Sequence, residues 1–176
     1  DKFMRMFIAL CFSSTALQKI HHIQKELLRH GVQGRFSPVE NLHLTLAFLG
    51  NQKDLSSVDN AIKTMETDAE PFLLKGDSIS TFSFSRSSTI VLTPQKNKSL
   101  EVLVRDLRAS LKKNHIYFDP KPFLSHITLV RQAVLQSLPE LDLNDLQEEI
   151  TSFCLMSSEL KPGKNPVYTI LKRYPL

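Results

Sequence analysis

The sequence has few glycines and no long apolar run, and each absence excludes a class of protein. Five glycines in 176 residues, without any low-complexity segment, argue against a collagen-like chain, a disordered chain or a long linker. No stretch approaches the ~20 consecutive apolar residues of a membrane-spanning helix. The length fits one domain of ordinary size, so we expect a single compact domain over residues 1–176.

Cysteine and the common cofactor motifs are also scarce or missing. Cys11 and Cys154 lie in apolar, strand-like segments without metal-ligand spacing, which favours free core thiols over a disulfide or a reactive thiol. The sequence contains no HExxH motif, no GxxxxGK[ST] loop and no GxGxxG loop. It therefore predicts no cofactor: no metal, no ATP and no dinucleotide.

The charge balance and the first residues bear on partners and location. With 22 Lys and Arg against 18 Asp and Glu, the net charge of +4 permits an anionic partner but is too small for a nucleic-acid coat. Basic residues precede an apolar run at the start, as in a signal peptide, but the run is short and no small-residue cleavage site follows. We expect a protein of the reducing cytoplasm, without a membrane partner.

Apolar periodicity predicts a mixture of helices and strands. Helical spacing predicts one helix from Ser13 or Ser14 to Gly31, and two more over residues 55–66 and 98–114. Strand patterns occur at residues 4–12, 41–50, 72–84, 88–94, 123–131, 150–160 and 167–176. Residues 32–40 and 133–148 are interrupted by glycine or proline and are predicted to be loops, the second with at most one helical turn.

A short motif occurs twice, once in each half of the chain. Residues 41–50 read NLHLTLAFLG and residues 123–131 read FLSHITLVR, so His-x-Thr-Leu recurs 83 residues later, from His43 to His126. Each half also contains a long amphipathic helix. This order predicts an α+β fold of two similar lobes, each an antiparallel sheet with helices packed outside, facing a central cleft that both histidines line.

Two histidines in one cleft suit displacement at a phosphodiester. The reaction needs a base for the attacking oxygen and an acid for the leaving oxygen, and imidazole titrates near neutrality. Thr45 and Thr128 share the strand faces of His43 and His126, where their hydroxyls can donate to phosphate oxygens. The spacing leaves open which histidine is the acid.

Two residues beyond the motifs are harder to place. Arg131 would balance charge on the phosphate, but strict alternation puts it on the face opposite His126 unless the strand ends or bulges there. Phe48 shares its face with Leu44 and Leu46, which predicts a core residue, with stacking on a base as the alternative.

Structural and metal-binding roles compete for any histidine. One strand histidine alone is more often a hydrogen-bonded structural residue, but the matched repeat favours function. A metal site is disfavoured because neither motif carries a second histidine or a carboxylate two residues on. Solvent-facing or capping roles are predicted for the other histidines: His21, His22, His30 and His115.

The quoted motifs carry a resemblance to a known family. Together with MRMFIAL near the start, SPVE before the first motif, and SSEL and VYTILKRYPL near the end, they resemble the 2H phosphoesterase superfamily. Within it, the whole chain is similar to bacterial RNA 2′,3′-cyclic phosphodiesterases, also called 2′-5′ RNA ligases. One departure is Ser125, at a place more often filled by proline.

The resemblance implies a reaction and roles. It implies metal-free, ATP-independent hydrolysis of RNA 2′,3′-cyclic phosphate ends or nucleoside 2′,3′-cyclic phosphates to the 2′-phosphate, with reversible joining of tRNA halves. His43 would be the proton donor and His126 the proton acceptor, while Thr45, Thr128 and Arg131 hold the phosphate. We expect a monomer. The alternatives are a non-catalytic module that binds RNA ends and a 2H phosphoesterase for another cyclic phosphate.

Overall fold

A computed structural model of the protein describes residues 3–84 and 87–176. Its helices are Ser14–Arg29 (α1), Leu55–Lys63 (α2) and Lys98–Lys113 (α3), with a short 3-10 turn at Val39–Asn41. Its strands are Met4–Leu10 (β1), Gln33–Phe36 (β2), Leu44–Gln52 (β3), Phe72–Phe84 (β4), Ser87–Pro94 (β5), Ile127–Val134 (β6), Gln147–Ile150 (β7), Ser152–Glu159 (β8) and Val167–Pro175 (β9). None of these helices is both long and apolar enough to cross a membrane.

The three helices begin where side chains cap them. The hydroxyl of Ser13, one of the two predicted starts, accepts a hydrogen bond from the backbone N–H of Ala16 at 3.1 Å. The other two helices have acceptor caps of the same kind. Helix α2 ends at Lys63, three residues earlier than predicted, and the hydroxyl of Thr64 closes its last turn by donating to the carbonyl of Asn60 at 2.8 Å.

The strands form one antiparallel sheet whose two halves meet at the histidine strands. The order is β7-β4-β5-β6-β3-β1-β8-β9, with β2 paired to β6. Strands β3 and β6 are joined by one residue pair, Leu44 with Ile127, and both side chains are buried. Further along β6, strand β2 is the partner on the same edge. The two halves of the sheet therefore diverge beyond the Leu44–Ile127 pair, which we call the joint. The predicted α+β fold with two antiparallel lobes is confirmed.

Two short strands lie where the sequence predicts loops. Strand β2 falls within residues 32–40 and pairs with β6, whereas β7 begins at the end of the second predicted loop, at residues 147 and 148, and pairs with β4. Both predictions are wrong for the same reason. Both segments lie at sheet edges, where QGRF is mostly exposed and QEEI buries only its last residue, so neither carries an apolar alternation.

The long helices are exchanged between the two halves of the chain. Helix α1 comes from the first half but packs on the lobe of His126, where Ile20 meets Leu92 and Ile127 around a small apolar gap. Helix α3 comes from the second half but reaches β3 of the other lobe, through the guanidinium of Arg108. Each lobe therefore depends on a helix from the other half of the chain.

The cysteines lie where the sequence predicts them. Both are free thiols; Cys154 is buried in β8, and Cys11, just after β1, is half-buried. The sulfur of Cys11 lies 3.8 Å from the sulfur of Met156. Both cysteines thus belong to an apolar cluster of side chains from β1 and β8.

Candidate active site

His43 and His126 occupy matching positions, each the last residue before its strand rather than inside it as predicted. The Nδ1 atom of His43 lies 2.6 Å from the carbonyl oxygen of Asn41, and Nδ1 of His126 lies 2.6 Å from the carbonyl oxygen of Leu124. A carbonyl only accepts, so each Nδ1 carries a proton and donates it. Each Nε2 is left to exchange a proton with a bound molecule.

Both imidazoles line one concavity of about 380 Å³, which we call the histidine chamber. The structure brings together there all five side chains predicted to form the site: His43, Thr45, His126, Thr128 and Arg131. The wall is completed by residues outside the two motifs, among them Arg35, Asn41, Phe82, Lys121, Asn165 and Tyr168.

A β-bulge in each histidine strand decides which later side chains face the chamber. In β3 the register against β1 shifts so that Leu46 is an extra residue. In β6 the register against β5 shifts so that Leu129 is an extra residue. Both bulges stand three residues after the histidine, and each reverses the alternation as far as the next register shift, which lies beyond Phe48 in β3 and beyond Val130 in β6.

The bulges turn Phe48 and Arg131 toward the chamber. The prediction that Phe48 belongs to the core is wrong, because its side chain is 48% exposed and lines the histidine chamber. Arg131 was expected to share the face of His126 only if the strand ended or bulged between them, and the bulge at Leu129 meets this requirement. Since each stands five residues after its histidine, equivalent positions hold a ring in one strand and a guanidinium in the other. The two strands therefore contribute equivalent imidazoles to the chamber but different side chains at the position five residues later.

Two side chains that the sequence analysis missed hold the bulges in place. The amide nitrogen of Gln24 on α1, a residue only 2% exposed, donates to the carbonyls of Leu129 at 3.0 Å and Ser37 at 2.9 Å. The guanidinium of Arg108 on α3 donates to the carbonyl of Leu46 from Nε at 3.3 Å and Nη2 at 3.2 Å. A polar residue beside the apolar stripe of an amphipathic helix is the signal that could have found both.

Aromatic rings enclose His43 and change its acidity. The ring of Phe7 lies 5.0 Å from the imidazole of His43, and Tyr168 meets it edge-on at 5.2 Å. Burial is the main reason that the pKa of His43 falls below its usual 6.5; the carbonyl of Asn41 opposes the change, and the charges of Arg131 and His126 add to it. His43 therefore holds a proton less readily than a free imidazole.

A second concavity of about 540 Å³ adjoins the histidine chamber, and we call it the aromatic chamber. The two chambers share His43, Phe48, Arg131, Pro166 and Tyr168. Beyond these residues the aromatic chamber is lined by Arg5, Phe7, Tyr117, Asp119 and Ser158, among others. Its rings, which are inclined to one another, offer an apolar surface next to the imidazole of His43.

The other histidines have local contacts away from the chamber. The imidazole of His30 caps α1, with Nδ1 2.8 Å from the carbonyl of Glu26, and His22 and His115 are exposed. His21 differs from the prediction, because it is half-buried and its Nδ1 lies 3.1 Å from the amide oxygen of Gln24. Within residues 3–84 and 87–176, no group of three or more His, Cys, Asp or Glu side chains is placed to hold a metal ion.

Comparison with known proteins identifies the family of the chain. Residues 12–92 match the family described as LigT-like phosphoesterase. Over 150 residues the chain is 32% identical to the RNA 2′,3′-cyclic phosphodiesterase of Escherichia coli strain K12, covering 81% of this chain and 80% of that protein.

Solved structures of the Escherichia coli protein LigT show the same fold. The complex with NADP+ superposes with a TM-score of 0.82 at 27% identity over 99% of both chains. The complex with 3′-AMP gives a TM-score of 0.79 at 26% identity over 100% of this chain and 99% of that one. The chain therefore belongs to the LigT-like phosphoesterase family of the 2H superfamily, the family of the bacterial RNA 2′,3′-cyclic phosphodiesterases.

Proposed function

We propose that the protein hydrolyses the 2′,3′-cyclic phosphate at an RNA end to a 2′-phosphate, with His43 as proton donor and His126 as proton acceptor. One observation carries the proposal: two imidazoles face one chamber with Nε2 free, because each Nδ1 is committed to a backbone carbonyl. An in-line displacement needs one such group on each side of the phosphorus.

The steps follow from the two imidazoles. Water attacks phosphorus while Nε2 of His126 takes its proton, and the bond from phosphorus to O3′ breaks as Nε2 of His43 gives O3′ a proton. The phosphate stays on O2′. The near-symmetry of the motifs allows either direction, and we assign the acid to His43 on the resemblance to the family. An anionic phosphate beside His43 favours its charged form and so offsets the lowered pKa.

We assign three side chains, those of Thr45, Thr128 and Arg131, to the phosphate. Among the described residues, no hydrogen bond occupies the hydroxyl of Thr45 or Thr128, and no carboxylate lies within 4.0 Å of the guanidinium of Arg131. Hydroxyls can donate to non-bridging oxygens, and a guanidinium can bind two of them at once. Charge that develops on the phosphate is thus balanced without a metal or ATP.

The neighbouring chamber and the relatives support the substrate class. Crystal structures of Escherichia coli LigT include complexes with 3′-AMP and NADP+, which supports a nucleotide at this site. We assign Phe48 to the base and extend the proposal to reversible joining of tRNA halves. In that reaction a 5′-hydroxyl replaces water and forms a 2′-5′ bond. We further propose that residues 1–176 act as one bilobal domain, as a monomer in the cytoplasm.

The deciding experiment uses adenosine 2′,3′-cyclic phosphate in excess chelator. We expect the cyclic phosphorus resonance to be replaced by that of a monoester, and chromatography against authentic nucleotides to identify 2′-AMP. Unchanged substrate at high protein concentration would favour a module that binds RNA ends without turnover. Predominant 3′-AMP would exchange the roles of the two histidines and leave the two-histidine mechanism standing.

Replacing either histidine tests the proton transfers directly. We expect His43→Ala and His126→Ala each to lower kcat by about 10²-fold or more, the usual scale for losing a general acid or base. Circular dichroism and thermal melting serve as controls for folding. Full activity in either variant would contradict the assignment of that residue.

A further inference from the structure

Two arginines stand directly opposite each other at the edge of the histidine chamber. Strand β2 pairs with β6 so that Arg35 faces Arg131, and both side chains line the chamber. Like charges at such a pair of positions destabilise a sheet. Among the described residues, neither guanidinium has a carboxylate within 4.0 Å. A bound anion would relieve this repulsion.

A glycine allows the close approach that places Arg35 there. Gly34 has a φ of +148°, and a Cβ at this position would lie 2.8 Å from the side chain of Val130 and 2.9 Å from the carbonyl oxygen of Arg131. No other residue fits without moving β2 away from β6. The second arginine is therefore held at the chamber by the local backbone geometry.

Arg35 also opens onto a further concavity of about 390 Å³, which we call the side chamber. It is lined by Arg35, Phe36, Gly163, Lys164 and Asn165, and it shares Arg35 and Asn165 with the histidine chamber. The loop that carries Lys164 is tied to the site, because the amide of Asn41 donates to the carbonyl of Pro166 at 2.9 Å. Positive charge thus continues from Arg131 through Arg35 to Lys164.

The two flanks of the histidine chamber differ in chemistry. The aromatic chamber has several rings and, besides Arg5 and Arg131, the carboxylate of Asp119, whereas the lining of the side chamber has Arg35 and Lys164 and, among the described residues, no acidic side chain. A nucleotide also has two different ends, a base and a 5′-phosphate. We propose that the side chamber, through Arg35 and Lys164, binds the phosphodiester on the 5′ side of the terminal nucleotide. The protein then favours an RNA end over a free cyclic mononucleotide, a selectivity that rests on the proposed hydrolysis.

The test compares a dinucleotide that ends in a cyclic phosphate, UpA>p, with adenosine 2′,3′-cyclic phosphate. We expect wild-type kcat/KM to be about tenfold higher for the dinucleotide. This factor corresponds to the low end of what a hydrogen bond to a charged group contributes. Lys164→Gln should remove most of this preference, and Arg35→Gln should lower kcat/KM more for the dinucleotide than for the mononucleotide. The salt dependence of the dinucleotide reaction should lose about 0.7 in logarithmic slope for each contact removed.

A matched control separates the site from general charge. Lys161 lies on the same loop, is exposed and lines neither chamber, so Lys161→Gln should leave the preference unchanged. Two results would overturn the assignment of the side chamber and leave the proposed hydrolysis standing. One is an equal loss of the dinucleotide preference in Lys161→Gln and Lys164→Gln, and the other is hydrolysis of the mononucleotide by wild type without any preference for the dinucleotide.

If neither substrate is hydrolysed, the proposed function fails, and calorimetry with UpA 2′-phosphate and 2′-AMP still decides the inference. Tighter binding of the dinucleotide that Lys164→Gln abolishes would support the side chamber. Equal affinities would overturn it.

Discussion

At the residue scale, the proposed acid is the histidine whose proton is held less readily than usual. Burial against Phe7 and Tyr168 lowers the pKa of His43, and the charge of Arg131 lowers it further. Protonated His43 is the form that donates, so its active fraction falls as pH rises through a pKa below 6.5. A bound anionic substrate favours protonation of His43, and the imidazolium then gives up its proton easily to the leaving oxygen.

Removing the positive charge of Arg131 should raise the pKa of His43 in the unliganded protein. Arg131→Met keeps most of the side-chain volume while ending the repulsion of the imidazolium. An NMR titration of the imidazole ring protons measures the change, with Lys161→Met as a control for the overall charge. An unchanged or lowered pKa would show that the two groups do not interact as the structure indicates.

Phe48 should contribute to substrate binding rather than to chemistry. Stacking of a base on an aromatic ring is worth about 1–3 kcal/mol, so Phe48→Ala should raise KM for the cyclic mononucleotide by about tenfold, with kcat nearly unchanged. Phe48→Tyr should retain most of the affinity, because the stacking face remains. A large fall in kcat with unchanged KM would argue against base contact.

At the element scale, each histidine strand is shaped by a helix that is remote in sequence. The bulge at Leu129 in β6 is held by Gln24 of α1, and the bulge at Leu46 in β3 is held by Arg108 of α3. Both bulge carbonyls thus receive side-chain hydrogen bonds as well as any from the sheet. The direction of Phe48 and Arg131 depends on these contacts.

Gln24→Met should lower both stability and kcat, because it leaves the buried carbonyl of Leu129 and the half-buried carbonyl of Ser37 without this donor and frees the bulge that positions Arg131. The loss of stability should be about 1–3 kcal/mol. Gln18→Met, at an exposed site on the same helix, is the matched control.

A double-mutant cycle tells positioning from general destabilisation. If Gln24 acts through Arg131, Gln24→Met should have little further effect on kcat once Arg131 is replaced by alanine. Full additivity of the two losses in kcat would contradict the positioning role.

At the scale of the whole molecule, two half-sheets share one core and one joint. Leu44 and Ile127 form the pair that connects β3 to β6, and both are fully or almost fully buried. The helices are exchanged between the halves, so neither lobe completes its packing with its own half of the chain. We therefore expect the two lobes to unfold together.

Leu44→Ala should cost about 2–5 kcal/mol of unfolding free energy, since it leaves a cavity at the joint. Leu73→Ala, at a half-exposed position, should cost much less. Urea titration followed by circular dichroism and by tyrosine fluorescence measures both. Separate transitions for the two probes would contradict a single cooperative unit.

Much of the fold and of the candidate site could be predicted from the sequence alone, because the signals are local. Helical spacing identified the three helices of the described residues, and apolar strand patterns identified the seven longer strands. The repeat of His-x-Thr at half-chain spacing marked His43, Thr45, His126 and Thr128, and these four side chains line one chamber. Local patterns suffice here because alternation along a strand fixes which residues share a face.

The tertiary structure decided what lies beyond those motifs. Phe48 and Arg131 reach the chamber through bulges, and a bulge depends on the register of a partner strand and on donors far away in the chain. Gln24 lies 105 residues from the carbonyl that it holds, and Arg108 lies 62 residues from its own. Strand β2, which brings Arg35 beside Arg131, is a short polar edge strand that exists through its pairing with β6. Apolar periodicity reflects only residues that are close in sequence, so these long-range contacts could be seen only in the folded chain.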